Sequence, residues 1–162
     1  MADKTPFDFY QATEGLSPGE LVEVEPGYGD TLPADCLLSE LGISLVEIGR
    51  GSSKAEMTVG RCHLNQRGIA QAGAVVALAD AAAGWASYSA IEDGKFTTLS
   101  LDMNLLRPVR EGDALVAAAN PVHLGRRTHV IEVVITRQDA PGKPVARFTC
   151  SQLVLSVPVP TT

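Results

Sequence analysis

One acid, Asp80, lies in the middle of an otherwise apolar run, GIAQAGAVVALADAAAGWASYSA, from Gly68 to Ala90. On a helix, its neighbours three and four positions away are Val76, Ala77, Ala83 and Gly84, none of them charged. An unpartnered carboxylate is costly to bury, and burial raises its pKa toward a range that suits general-base or nucleophilic work. The plainer reading is an Asp that reaches the surface or a helix end. Just upstream, Asn65-Gln66-Arg67-Gly68 and Gln71-Ala72-Gly73 place small and polar residues where a helix would begin. Backbone N–H groups at such a start can hold a carbonyl oxygen that is gaining charge, with the helix dipole adding to the effect. The same residues also serve an ordinary loop-to-helix turn, in which Asn65 is either a turn residue or an orienting donor.

Other chemistry-bearing residues are sparse. His123 and His129 flank Gly125 on expected strands and read as structural, exposed or catalytic. No Gly-x-Ser-x-Gly elbow, phosphate-binding P-loop or dinucleotide glycine fingerprint occurs. The three cysteines, Cys36, Cys62 and Cys150, form no CxxC pair and read as small buried hydrophobes in a reducing compartment. Cys62 and His63 are adjacent and would point to opposite faces of a strand, so no metal site is expected.

The elements that would position these residues follow from composition and period. With 162 residues, 45% hydrophobic and 5% aromatic, the chain suits one domain with an aliphatic core. A net charge of −6 argues against nucleic acid and against a membrane surface as partners. Residues 1–30, rich in Pro, Gly, Asp and Glu, read as an irregular N-terminal arm without an apolar leader segment, and 31–162 as a single domain in the cytoplasm. A short helix is expected before Gly42, then strands over Ile43–Ile48 and Lys54–Val59. The run Gly68–Ala90 is a helix apolar on nearly every face, hence buried. A membrane span is rejected, since Asp80 at its centre would cost about 2.5–3.5 kcal/mol on insertion. A meander of four strands should follow, over Thr97–Arg107, Ala114–Leu124, Thr128–Gln138 and Val145–Val157, with turns at Gly125 and at Ala140-Pro141-Gly142. The expectation is an α+β fold, one long central helix wrapped by a curved antiparallel sheet of about six strands.

The residues carry a resemblance. Asn65-x-x-Gly68-x-x-Gln71-Ala72-Gly73, then Ala77-Leu78-Ala79-Asp80, resembles the N-x-x-G-x-x-H-G-G…L-x-D signature of PaaI-like hotdog-fold acyl-CoA thioesterases. Leu105-Leu106-Arg107-Pro108 and Gly125-Arg126-Arg127 extend it, over roughly residues 34–157. One departure stands out: Gln71-Ala72 replaces His-Gly, and Gln71 cannot titrate.

What the resemblance implies is a hydrolase that cleaves acyl-CoA thioesters to free acid and coenzyme A, at active sites shared across a dimer interface. Asn65 and the N–H groups of Ala72 and Gly73 would come from one subunit. Asp80 would come from the other as general base or nucleophile, and Thr98 on the following strand would help to place the water. Gln71, Arg107, Arg126 and Arg127 are the substrate-binding candidates, the arginines for the coenzyme A phosphates. No cofactor and no metal is expected, and the assembly would be a homodimer or a tetramer of two dimers. The alternatives are a non-catalytic acyl-CoA-binding module and, ranked last, a hotdog hydratase or dehydratase.

Overall fold

The computed structural model describes residues 7–25, 33, 35–92 and 95–155. Three helices alternate with seven strands: α1 (Phe9–Ala12), β1 (Val22–Glu23), α2 (Leu37–Glu40), β2 (Ser44–Gly49), β3 (Ser52–Thr58), α3 (Ala72–Tyr88), β4 (Lys95–Leu105), β5 (Ala114–Leu124), β6 (Thr128–Arg137) and β7 (Ala140–Leu155). The strands form one antiparallel sheet in the order β1-β2-β3-β5-β6-β7-β4. Seven strands replace the expected six because Val22 and Glu23 pair with Ile48 and Glu47 at one edge.

Helix α3 touches β2, β3, β5, β6, β7 and β4. Six adjacent strands span about 24 Å, while a helix with its side chains is about 10–12 Å wide. The sheet must therefore curl around the helix to reach it from all those strands, which is the hotdog arrangement. The alternation that seats it is plain on β5 and β6, where Leu115, Ala117 and Ala119 and then Ile131, Val133 and Ile135 are buried. They meet Leu78, Ala79, Ala82, Ala83 and Ala86 of α3, each 0% exposed. Alanine permits the close approach, so close that Ser53 Oγ on β3 donates to the Ala82 carbonyl at 2.7 Å.

Four expectations need correction. The last four strands are not one meander: β5, β6 and β7 follow as neighbours, but β4 pairs with β7 at the far edge. Residues 106–113 are too long a connection for a two-residue hairpin, so no tight turn holds β4 beside β5. The β6–β7 turn is at Gln138-Asp139, and Pro141–Lys143 bulge out between Thr136↔Pro144 and Arg137↔Ala140. The long helix begins at Ala72 and not at Gly68, which is at φ +71 and so cannot be helical. Cys62 and His63 lie in a 3-10 turn, Arg61–His63, and not on a strand. There His63 is buried, accepting from the Gly60 N–H at 2.7 Å through Nδ1 and bonded through Nε2 to the Leu41 carbonyl at 3.0 Å.

Candidate functional site

The site is built in two halves, both hung on α3. The first is the helix start. Gln71 is the N-cap, in extended conformation at φ −63 and ψ 136, and its side chain makes no capping hydrogen bond. The exposed N–H groups of Ala72 and Gly73 thus have no acceptor within the helix. No described non-glycine residue has positive φ, so Ala72 occupies its position without strain. A Cβ built on Gly73 would meet nothing within 4 Å, which leaves the approach to these donors open.

Asn65 is fixed beside that helix start by a small turn. Its N–H donates to the Ile69 carbonyl at 2.8 Å, its carbonyl accepts from Gly68 at 3.0 Å, and Oδ1 accepts from the Arg67 N–H at 2.8 Å. The positive φ of Gly68 closes the turn. Since Oδ1 is engaged, the Nδ2 amide is the part of Asn65 left to address a ligand. Asn65, Gln71 and Arg67 together line a hollow of about 400 Å³.

The second half is a cleft of about 220 Å³ along α3. Ala77, Asp80, Ala81, Gly84 and Tyr88 contribute from the helix at spacings of three and four, and Phe96 and Thr98 contribute from β4. Leu37 and Leu38 of α2 and Gln152 of β7 complete the walls. Asp80 has no hydrogen bond or ion pair among the described residues, and burial pushes its carboxyl pKa up. Nearby, burial and then the Asp80 charge push the Cys150 thiol up to about 12, so it stays protonated at neutral pH. No histidine lines this cleft among the described residues.

The structure brings Asn65 together with Gln71 and Asp80 together with Thr98, but a single chain does not bring the two pairs together. Eight residues separate Ala72 from Asp80, about 12 Å along the helix axis. Arg107, Arg126 and Arg127 line neither hollow. All three are exposed; an Arg107 guanidinium nitrogen donates to the Pro144 carbonyl, and the other two lie in the β5–β6 turn. His123 is exposed, while His129 is buried and held below its ordinary pKa by burial and by His123.

Two residues were missed. Arg67 shares the Asn65 hollow, and its position inside the motif was the available signal. Gln152, 0% exposed, takes an inward position after Phe148 and Cys150 on β7, and a polar residue on that apolar face marks it. Ser87 donates through Oγ to Gln152 Oε1, so the 3.1 Å contact from His129 Nδ1 to Ser87 Oγ has the histidine as donor. Gln152 Nε2 has no partner among the described residues. Its cross-strand neighbours are His129 and Thr98, so a polar row runs under the cleft from β6 to β4.

Among the described residues no three His, Cys, Asp or Glu side chains gather as metal ligands. No described helix is long and apolar enough to cross a membrane.

Known proteins share this fold. The profile of the thioesterase superfamily matches residues 68–142. The acyl-coenzyme A thioesterase PaaI of Escherichia coli is 32% identical over 114 residues, 70% of this chain and 79% of that protein. A structure of a mutant of the phenylacetic acid degradation protein PaaI from Thermus thermophilus superposes with TM-score 0.67 at 32% identity, over 73% of this chain and 97% of that one. A Streptococcus mutans protein solved with acetyl CoA gives TM-score 0.65 at 29% identity, over 70% of this chain and 89% of that one. The fold and these relatives define a hotdog thioesterase. The chain belongs to the thioesterase superfamily, within its PaaI-like members.

Proposed function

We propose that the protein hydrolyses acyl-CoA thioesters, at sites formed where two copies of the chain meet. The carrying observation is the separation of the two half-sites. Donors at the start of α3 and a base about 12 Å along the same helix axis cannot both reach one carbonyl group. Two antiparallel copies can bring the helix start of one chain to the Asp80 cleft of the other.

In that arrangement the N–H groups of Ala72 and Gly73 hold the thioester oxygen as it gains charge, and Asn65 Nδ2 orients the carbonyl. Thr98 positions a water, and the Asp80 carboxylate takes its proton as the oxygen attacks the carbonyl carbon. The tetrahedral intermediate collapses by breaking the C–S bond. Coenzyme A leaves as a thiolate, whose parent thiol has a pKa near that of cysteine, about 8.5, so little acid assistance is needed. This is why Gln71, which has no proton to lend, is compatible with turnover. Its amide and the cations of Arg67, Arg107, Arg126 and Arg127 remain to hold the coenzyme A portion.

The edge strand supports the assembly. The eleven residues of β4 have no partner on their outer side among the described residues, and Leu99, Leu101 and Leu105 are 59%, 48% and 50% exposed. A long apolar edge is a pairing surface, and a homodimer joined there protects it. Thiols free at Cys36, Cys62 and Cys150 suit a reducing, cytoplasmic setting. The test is thiol release over a panel of acyl-CoAs. Hydrolysis is expected from the wild-type chain and is nearly abolished in Asp80→Asn, whereas saturable acyl-CoA binding without thiol release above background would overturn the reading.

A further inference from the structure

Residues outside the stretch matched by the superfamily profile reach the acyl cleft. The aromatic end of the cleft is made by Tyr88, at the last turn of α3, and Phe96 of β4, with ring centroids 4.7 Å apart. Behind Tyr88 lies the N-terminal arm: the Phe9 ring of α1 stacks on it at 5.8 Å and an interplanar angle of 20°, and Phe7 meets Phe9 edge-on at 4.9 Å. The matched stretch is 68–142, and the Thermus structure is almost fully covered by 73% of this chain, so about a quarter of the chain has no counterpart there.

The arm is fastened down and does not simply lie against the domain. Thr13, 0% exposed, has its Oγ1 hydroxyl 3.3 Å from the Ser89 carbonyl, directly after α3, and 3.1 Å from the carbonyls of Phe9 and Tyr10, so its one proton is shared between α1 and the end of α3. Arg50, on the β2–β3 turn, donates to the same carbonyl at 2.8 Å and lies 3.8 Å over the Tyr10 ring. Ser89 is held in turn, since its Oγ accepts from the Gly51 N–H at 2.9 Å and donates to the Gly49 carbonyl at 2.8 Å. At Gly49 the arm passes so close that a Cβ would collide with the Glu20 backbone. The anchors converge on the end of α3 that carries Tyr88.

We infer that the N-terminal arm is a specificity element of the acyl site, with Phe9 a positioning residue that holds the Tyr88–Phe96 wall and so limits the length of the acyl group. This rests on the reading that the cleft receives the acyl part of an acyl-CoA. From Asp80 to Tyr88 is eight residues, about 12 Å along the axis, and the aromatic wall closes that span. The substrates are thereby acyl groups that end before the wall: short or medium straight chains, or a single compact ring. Longer chains require the wall to move, and Phe9 opposes that movement.

The test measures kcat/KM for butanoyl-, hexanoyl-, octanoyl-, decanoyl- and dodecanoyl-CoA on full-length wild type, Phe9→Ala, Phe9→Tyr and Thr13→Val. Neither altered position lies among the residues that do the chemistry. Wild type should show a sharp fall at one chain length. In Phe9→Ala the fall moves to longer chains, with the ratio of long-chain to short-chain kcat/KM rising about tenfold, the scale of one lost packing contact. Thr13→Val, which removes the hydroxyl shared by the Ser89, Phe9 and Tyr10 carbonyls and lies outside the wall, moves the ratio the same way, and Phe9→Tyr keeps the wild-type profile. General destabilisation lowers all rates together and leaves this ratio alone. A length profile unchanged in both Phe9→Ala and Thr13→Val, on an active enzyme, overturns the role of the arm. A wild-type chain that turns over neither any of these five nor a single-ring aryl-CoA such as benzoyl-CoA overturns the acyl-CoA reading itself, and the inference with it.

Discussion

Asp80 combines a half-buried setting in a largely apolar cleft with no cation among the described residues to offset its charge. Desolvation disfavours the ionised form, so the carboxyl pKa lies above its ordinary value. The ionised form is the base, and kcat/KM should therefore fall with acid through that raised pKa, beginning above the usual carboxylate range; a pH–rate profile flat through the mildly acid range would remove Asp80 as the base. The linkage has the opposite sign for stability. A raised folded-state pKa gives stability that is complete below the unfolded-state value and is lost as pH rises through the folded value. At neutral pH the ionised Asp80 thus weighs against the fold. Asp80→Asn should lose about 10²- to 10⁴-fold in kcat. It should nevertheless melt at or above the wild-type temperature at neutral pH, with the advantage fading in acid, as calorimetry at the two pH values would register.

At this scale the sequence was informative where a residue contradicted its surroundings. A charge among alanines singled out Asp80, whereas Thr98 was pointed to only by the resemblance and by no pattern of its own. Gln152 was not legible, because its meaning depends on Ser87 and His129, which are remote in sequence and meet only when β6, β7 and α3 pack. The arginines were legible as cations but not as positions, since exposed turn side chains carry no packing pattern to place them.

At the scale of the element, α3 shows how composition serves two ends. Its alanines bury one face against the sheet, and its other face keeps Gly84 in the middle of a seventeen-residue helix. Glycine there costs about 1 kcal/mol relative to alanine, yet a Cβ at Gly84 would meet only the Phe96 ring tip, at an ordinary 3.6 Å. Packing therefore does not demand glycine; the space does, because Gly84 and Phe96 both line the cleft. Gly84→Ala should raise stability by about 0.5–1 kcal/mol, visible as a higher unfolding midpoint in urea. The same methyl group should reduce kcat/KM for the longest acyl groups the wild type accepts, with the shortest little affected. A destabilised variant with an unchanged acyl profile would sink this account. The helix itself was readable from its alanines, and its start was not: the Gly68 N–H donates to the Asn65 carbonyl in a turn, and the Ala70 and Gln71 N–H groups donate to the carbonyls of Val109 and His63, which are remote or outside the helical run.

For the whole molecule, the order β3-β5-β6-β7-β4 was hidden because nothing local to β4 states which strand it will join. What that order does is decisive for the site. It sends the strand that carries Thr98 to the edge of the sheet, where exposed leucines invite a second copy. In the proposed two-fold dimer every contact is repeated, and each site would take one half from either chain. Two defective chains should therefore repair each other. Asp80→Asn and Asn65→Ala, each assembled alone, put one defect in every site and should be nearly inactive. In a hybrid dimer carrying one of each, isolated through two different affinity tags, both defects fall in one site and the other is intact. Such hybrids should recover about half of the wild-type rate per dimer. Sites contained within single chains would leave the hybrid as inactive as its parents, and that outcome, with hybrid dimers verified by mass, would refute the shared site.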